Sequence, residues 1–120
     1  MKPSNRGKED MDIHVTSRHF KAQESLVEHA EKAVEQLAHY YDGIIRAEVI
    51  LSFEKARNSV KSAEVRATVY NAILTSIVTT DDFQKSIDSA IAKVLVQLKK
   101  YKEKLHSKDR IAVRRVRLKA

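Results

Sequence analysis

Seven apolar residues, Phe83, Ile87, Ile91, Val94, Leu98, Tyr101 and Leu105, recur in steps of four and three. That rhythm is the period of an α-helix with one face turned to a core. It persists for about six turns, so a long helix must form one wall of whatever this chain folds into. Asp81-Asp82, just ahead of it, supply an N-cap and negative charge at the positive end of the helix dipole. After Leu105 the stripe stops, and residues 106–120 read as a basic tail with no helical face.

The remaining pattern is mostly strand. Asp12 to Ser17 alternates polar and apolar residues, the period of a half-buried strand. Leu26, Ala30, Ala33, Leu37 and Tyr41 then form a second helical stripe. Ser25 and Glu28 have the spacing of a capping box at its start, the alternative being a start one turn earlier, and Asp42-Gly43 closes it, glycine suiting a left-handed C′ position. Residues 44–54 are rich in Ile, Val, Leu and Phe, with Ala47, Val49, Leu51 and Phe53 on one side. A polar connection, 55–59, leads to residues 62–70, where Ala63, Val65, Ala67 and Val69 alternate with polar neighbours. Asn71-Ala72 marks a tight turn, since Asn tolerates positive φ, and residues 73–80 form a β-branched strand.

The order is β-α-β-β-β-α, an α+β fold. Three consecutive strands make a meander. The first strand joins the same sheet through a helical crossover, and both helices pack on one face of the four strands. Residues 11–105 form one domain, preceded by a flexible arm at 1–10 and followed by the basic tail at 106–120. Two Gly and one Pro in 120 residues leave little irregular chain. The absence of Cys excludes disulfides and thiolate chemistry and suits a reducing cytoplasm. No apolar run is long enough to span a bilayer, and the first ten residues lack the apolar core of a secretory signal.

Charge is divided unevenly. Residues 85–120 carry twelve Lys or Arg against three acids, about +9, whereas residues 1–84 carry eleven against thirteen, about −2; together these give the net +7. A faintly acidic body thus presents a cationic helix and tail. Polyanions are the natural partners of such a surface, and nucleic acid is the commonest, because neutralising phosphates releases condensed counterions. Six lysines fall within residues 85–104, opposed by only Asp88 and Glu103. Lys93, Lys100 and Lys104 lie within about 40° of one another on a helical wheel, flanking the apolar stripe, while Lys85, Lys99 and Lys102 point elsewhere on the solvent side. The first helix splits its polar face: Glu28, Glu31 and Glu35 lie on one edge, His29, Lys32, Gln36 and His39 on the other. Should the second edge adjoin the Lys93/Lys100/Lys104 line, the helices share a positive groove. Arg110, Arg114, Arg115 and Arg117 of the tail could lie along phosphate as an extended arm; the same segment reads equally as an unstructured solvated end or as a linker to a further domain.

Signs of catalysis are sparse. Gly7 and Gly43 cannot form a phosphate-binding loop. The five histidines make no H-x-x-x-H pair. His14 and His19 bracket Ser17, but surface histidines near a strand end are the simpler reading. No metal or cofactor is expected, nor a small-molecule substrate or a membrane.

Several segments together resemble the bacterial ribosome hibernation-promoting factors, also called ribosome-associated inhibitors or sigma-54 modulation proteins. They are Asp12-Ile13-His14-Val15-Thr16-Ser17-Arg18, Leu37-Ala38-His39-Tyr40-Tyr41-Asp42, the strand from Ala47 to Lys55, Asp81-Asp82-Phe83-Gln84-Lys85-Ser86-Ile87-Asp88, and the Lys-rich run from Ala92 to Lys104. The resemblance spans residues 11–105 and is to the short form of the family. It implies a fold like a double-stranded-RNA-binding domain with an added strand. It also implies a non-catalytic translation inhibitor, which occupies the mRNA–tRNA channel of the small ribosomal subunit in starvation or stationary phase. Binding to rRNA would then rest on Lys93, Lys100 and Lys104, helped by Lys85, Lys99, Lys102 and Lys32, with Arg18 a weaker contributor. The ribosome-bound form is expected to be a monomer. The chain departs from the family pattern at Ala33 and Gln36, where Lys or Arg is usual, at Phe83, where Tyr is usual, and in lacking glycines around the last hairpin. Two other readings stay open: a general structured-RNA-binding domain, and a protein-interaction module that docks an acidic partner and uses the exposed strand residues Thr68 and Tyr70.

Overall fold

The computed structural model describes residues 11–54 and 60–119, with side-chain surroundings for 11–53 and 60–105. The expected arm at 1–10 and the connection at 55–59 lie outside the described residues. The elements are β1 (Asp12–Arg18), α1 (Glu24–Tyr40), β2 (Arg46–Glu54), β3 (Val60–Val69), β4 (Ala72–Thr80) and α2 (Phe83–Lys119), the order expected from the sequence. The four strands form one sheet in the order β1-β2-β3-β4. β1 runs parallel to β2, in a register that sets Val15 beside Val49, and the other neighbours are antiparallel. A parallel pair needs a crossover, and α1 provides it.

Alternation along the strands divides the sheet into two unlike faces. Ala47, Val49, Leu51, Ala63, Val65, Ala67 and Val69 are sealed from solvent on the inner face. Against them pack Ala30, Ala33, Val34 and Leu37 of α1 and Ile87, Ala90, Ile91, Val94 and Leu98 of α2. α1 rests over β1, α2 over β3 and β4, and the two helices touch along their length. Phe20, Phe53 and Phe83 close one end of this core, with Phe20 stacked on Phe83 at 4.9 Å. Among the described residues no helix lies over the outer face. It carries ion pairs between Asp12 and His14 (2.8 Å), Arg46 and Glu48 (3.5 Å), and Glu64 and Arg66 (2.7 Å). Ile73 and Ile77 of β4 stand exposed on the same side.

Local details differ from expectation at both ends of α1. Ser25 is not the N-cap. Gln23 is, and its carbonyl accepts bonds from the N–H groups of Leu26 and Val27, so the helix starts before Ser25 and Glu24 brings the first-turn negative charge. At the other end Gly43 does not take a left-handed conformation. Tyr41 leaves the helix in an extended conformation, its N–H still bonded to the Leu37 carbonyl at 2.9 Å. Gly43 is needed for space instead: a Cβ there would come within 2.5 Å of the Tyr41 ring. The β3–β4 turn is Tyr70-Asn71, one residue earlier than expected. Asn71 alone supplies the positive φ of 66° that glycine usually provides.

α2 begins as anticipated. The Asp82 carboxylate accepts from the Gln84 N–H at 3.4 Å, and the Asp82 carbonyl from the Ser86 N–H at 3.0 Å. Its end differs, because the helix continues to Lys119 rather than stopping at Leu105. The extended arm expected at 106–120 is therefore helical in backbone. Residues 106–119 contain neither Gly nor Pro, and six of the fourteen are Arg or Lys. Their intrinsic propensity carries the helix past the point where the core-facing stripe ends.

Leu98 is wholly buried between α2 and the sheet. Leu98→Ala should lower unfolding free energy by about 2–5 kcal/mol, read from urea denaturation. A loss below about 1 kcal/mol would mean that α2 does not seal the core.

Candidate nucleic-acid interface

The outer side of α2 is organised by what each flank touches. On one flank the Gln97 amide donates to the Thr75 carbonyl at 2.8 Å, and the Tyr101 hydroxyl donates to the Tyr70 carbonyl at 2.6 Å. These bonds tie that flank to β4 and its turn. On the other flank Asp88 accepts from His29 Nε2 of α1 at 2.8 Å. Lys102 Nζ reaches the Tyr40 carbonyl at 3.4 Å and lies 4.8 Å from the centre of the Tyr40 ring. That flank faces α1.

The lysines sort themselves by these anchors. Lys93, Lys100 and Lys104 stand four residues before, three after and seven after Gln97, so they share the β4 flank. Lys99 stands three residues before Lys102 on the α1 flank, where Lys32 of α1 also projects into solvent. Lys85 lies near the helix start and pairs with Asp81 at 3.7 Å. All of these except the half-buried Lys102 are exposed. The edge of α1 that adjoins α2 carries His29 and Tyr40; His29 belongs to the edge that the polar split assigned to His29, Lys32, Gln36 and His39. Its neighbour, however, is the Asp88–Lys102 flank and not the Lys93/Lys100/Lys104 line. The shared groove imagined between that line and α1 does not form; the line borders the sheet edge instead. The reason is rotational, since the core-facing residues Ile87, Val94 and Leu98 fix the roll of α2 and point the two sets of lysines to opposite sides.

Other candidates are placed elsewhere. Arg18 is exposed at the end of β1 on the outer sheet face, remote in orientation from the helical lysines. The side chains of Arg110, Arg114, Arg115 and Arg117 lie outside the described residues. His14 and Ser17 sit at positions of opposite parity on β1, so they point to opposite faces, and His14 is engaged by Asp12. They do not form a nucleophile–base pair. Among the described residues no three His, Asp or Glu side chains converge as a metal site, and no helix is long and apolar enough to cross a membrane. Ala33 is buried beneath α2, whereas Gln36 is exposed. Phe83 spends its ring on the stack with Phe20.

The sequence did not reveal the contacts that set this geometry. His29 and Asp88 are 59 residues apart, and nothing local links them. The role of Gln97 left a faint trace, as an uncharged polar residue one turn from Lys93 and Lys100 on the side next to the apolar stripe.

The fold and this helix face define a small α+β domain that offers a cationic helix from one side of a four-stranded sheet. The chain belongs to the family described as Sigma 54 modulation protein / S30EA ribosomal protein, whose model matches residues 13–106. Among solved structures it is similar to the Protein Y N-terminal domain from Thermus thermophilus. Identity there is 23% and the TM-score 0.67, over 76% of this chain and 99% of that one. It is also similar to a ribosomal subunit interface protein from Coxiella burnetii, with 24% identity and a TM-score of 0.70, over 78% of this chain and 99% of that one. At these identities the likeness establishes the fold. No curated protein matches the chain.

Tyr101 offers a measurable probe of the β4 flank. Desolvation holds its phenol above the ordinary tyrosine value of 10.0, and Tyr41 and Tyr70 nearby raise it further. A raised value in the folded state means that folding favours the neutral phenol. That contribution is present at neutral pH and is lost as pH climbs from the ordinary value through the raised one. In an alkaline absorbance titration one tyrosine should therefore ionise later than the rest, and Tyr101→Phe should remove that late phase. The same substitution should cost about 1 kcal/mol of stability at neutral pH through the lost bond to Tyr70. A late phase that survives in the variant would place the perturbed phenol elsewhere.

Proposed function

We propose that this protein is a ribosome-binding translation inhibitor of the hibernation type. It docks on the small subunit through the outer side of α2 and occupies the channel used by mRNA and tRNA. The observation that carries this reading is the excess of lysine on a helix face left open among the described residues. Of the two acids within residues 85–104, Asp88 is already held by His29, which leaves Glu103 as the only other opposing charge. Family membership supplies the ribosome as the polyanion. The solved neighbour from Coxiella burnetii is described as a ribosomal subunit interface protein, which agrees with a seat between subunits. Inhibition needs no catalysis: a domain lodged in the channel excludes mRNA and initiator tRNA sterically, and phosphate contacts hold it there. Work of this kind belongs to the cytoplasm.

A protein partner is the second reading, favoured by Tyr70, Ile73 and Ile77, all exposed on β4 and its turn. Salt separates the two. Six to eight phosphate contacts lose roughly 10³–10⁴-fold in affinity between low and moderately high salt, whereas an apolar contact loses far less.

The test is sucrose-gradient co-sedimentation with bacterial ribosomes and separated subunits, with excess structured RNA as competitor. Near-stoichiometric migration with the small subunit, resistant to free RNA, is expected. Lys93, Lys100 and Lys104 changed together to Glu should abolish it while thermal melting stays unchanged. If free RNA strips the protein away, it is a general RNA binder. If it remains at the top of the gradient at low salt, the ribosome reading is wrong.

A further inference from the structure

The lysines of α2 do not form one patch. Lys93, Lys100 and Lys104 line the β4 flank, and Lys99 and Lys102 line the α1 flank, where Lys32 adds a charge from the neighbouring helix. Between them runs a crest of small uncharged residues, Ser89, Ala92 and Val96, all exposed. Val96 is 55% exposed although it is apolar. Glu103 marks the end of the crest. A helix lying flat on one RNA strand would gain most from lysines gathered at its outermost line. Here the outermost line is neutral from Ser89 to Val96, with Lys85 at its start and Glu103 at its end, and the other lysines stand to either side.

Resting on the RNA-binding reading above, the geometry points to a more specific partner: two RNA backbones that flank a crevice, with α2 inserted between them. The crest enters first, and small side chains there let the helix backbone approach sugars and base edges closely. The β4-flank lysines meet phosphates of one strand, and Lys99 and Lys32 on the α1 flank meet phosphates of the other. A helix with its side chains is about 10–12 Å across, so extended lysines on opposite flanks place their ammonium groups on the order of 15 Å apart. That spacing suits two separate backbones and not consecutive phosphates on one. Anchoring is built into the same flanks. Gln97 and Tyr101 brace one against β4, and the His29–Asp88 and Lys102–Tyr40 contacts brace the other against α1. The roll of α2 about its axis is thereby fixed, as simultaneous contact on two sides requires.

The salt dependence of binding to purified small subunits tests this, using the full chain, the row variant K93Q/K100Q/K104Q, the row variant K32Q/K99Q, and Val96→Glu. Each neutralised phosphate contributes about 0.7–0.9 to the slope of log affinity against log salt. Both row variants should flatten the slope, by about 2 for the first and about 1.5 for the second. A photo-crosslinker at position 93 and one at position 99 should label different rRNA segments. Val96→Glu should weaken binding at least tenfold, with the melting temperature unchanged. If one row variant keeps the full slope, or both crosslinkers label the same strand, insertion is overturned while ribosome binding stands. If the unaltered chain fails to bind the small subunit, the functional reading falls first and the insertion with it.

Discussion

Everything in this domain depends on the contact between the inner face of the sheet and the apolar stripe of α2. The residues that meet there are small on both sides. Ala47, Ala63 and Ala67 of the sheet and Ala90 of the helix are all fully buried. They let the helix backbone settle close to the strands, and Val65, Ile87, Val94 and Leu98 fill the layer between. This packing fixes more than stability. Because the stripe can face the sheet in only one rotation, it also determines where every lysine on the far side points. The surface chemistry of α2 is thus set from below, by residues that never touch solvent.

α1 plays a supporting part. It carries the chain from β1 to the parallel β2 and closes the core with Ala30, Val34 and Leu37. Its acidic residues lie towards the edge away from α2. The neighbouring edge offers His29, which engages Asp88 in the second turn of the basic helix. The charge asymmetry of the sequence, near neutral before residue 85 and strongly basic after it, becomes a spatial asymmetry. One side of the molecule carries a cationic helix, and the other carries a sheet whose charges are largely paired with one another.

Element order, sheet membership and core were legible in the sequence because two simple periods carry them. The 3.6-residue stripe from Phe83 and the alternation at Ala63, Val65, Ala67 and Val69 could each be read without reference to the rest of the chain. Boundaries that depend on one turn were less accessible. Ser25 had the chemistry of an N-cap, but the carbonyl of Gln23 was already receiving helical bonds. Gly43 looked like a left-handed cap and is instead a gap for the Tyr41 ring. The end of α2 was missed because the stripe reports contact with a core, and a helix can outrun its core where no Gly or Pro interrupts it. The basic residues were identifiable by type and spacing, but their division between two flanks was not. That division depends on which neighbour lies on each side of α2, and only the packed structure contains that information.

The braces on β4 have a bearing on how copies of this domain behave when crowded together. A strand at the margin of a sheet offers free main-chain carbonyls to any passing strand, which is how orderly sheets seed aggregates. Here the Thr75 carbonyl is occupied by Gln97 and the Tyr70 carbonyl by Tyr101. An incoming strand finds those acceptors taken and a helix standing over the margin. The side chains that hold α2 in place thereby also keep exposed Ile73 and Ile77 from nucleating a continuous sheet between molecules.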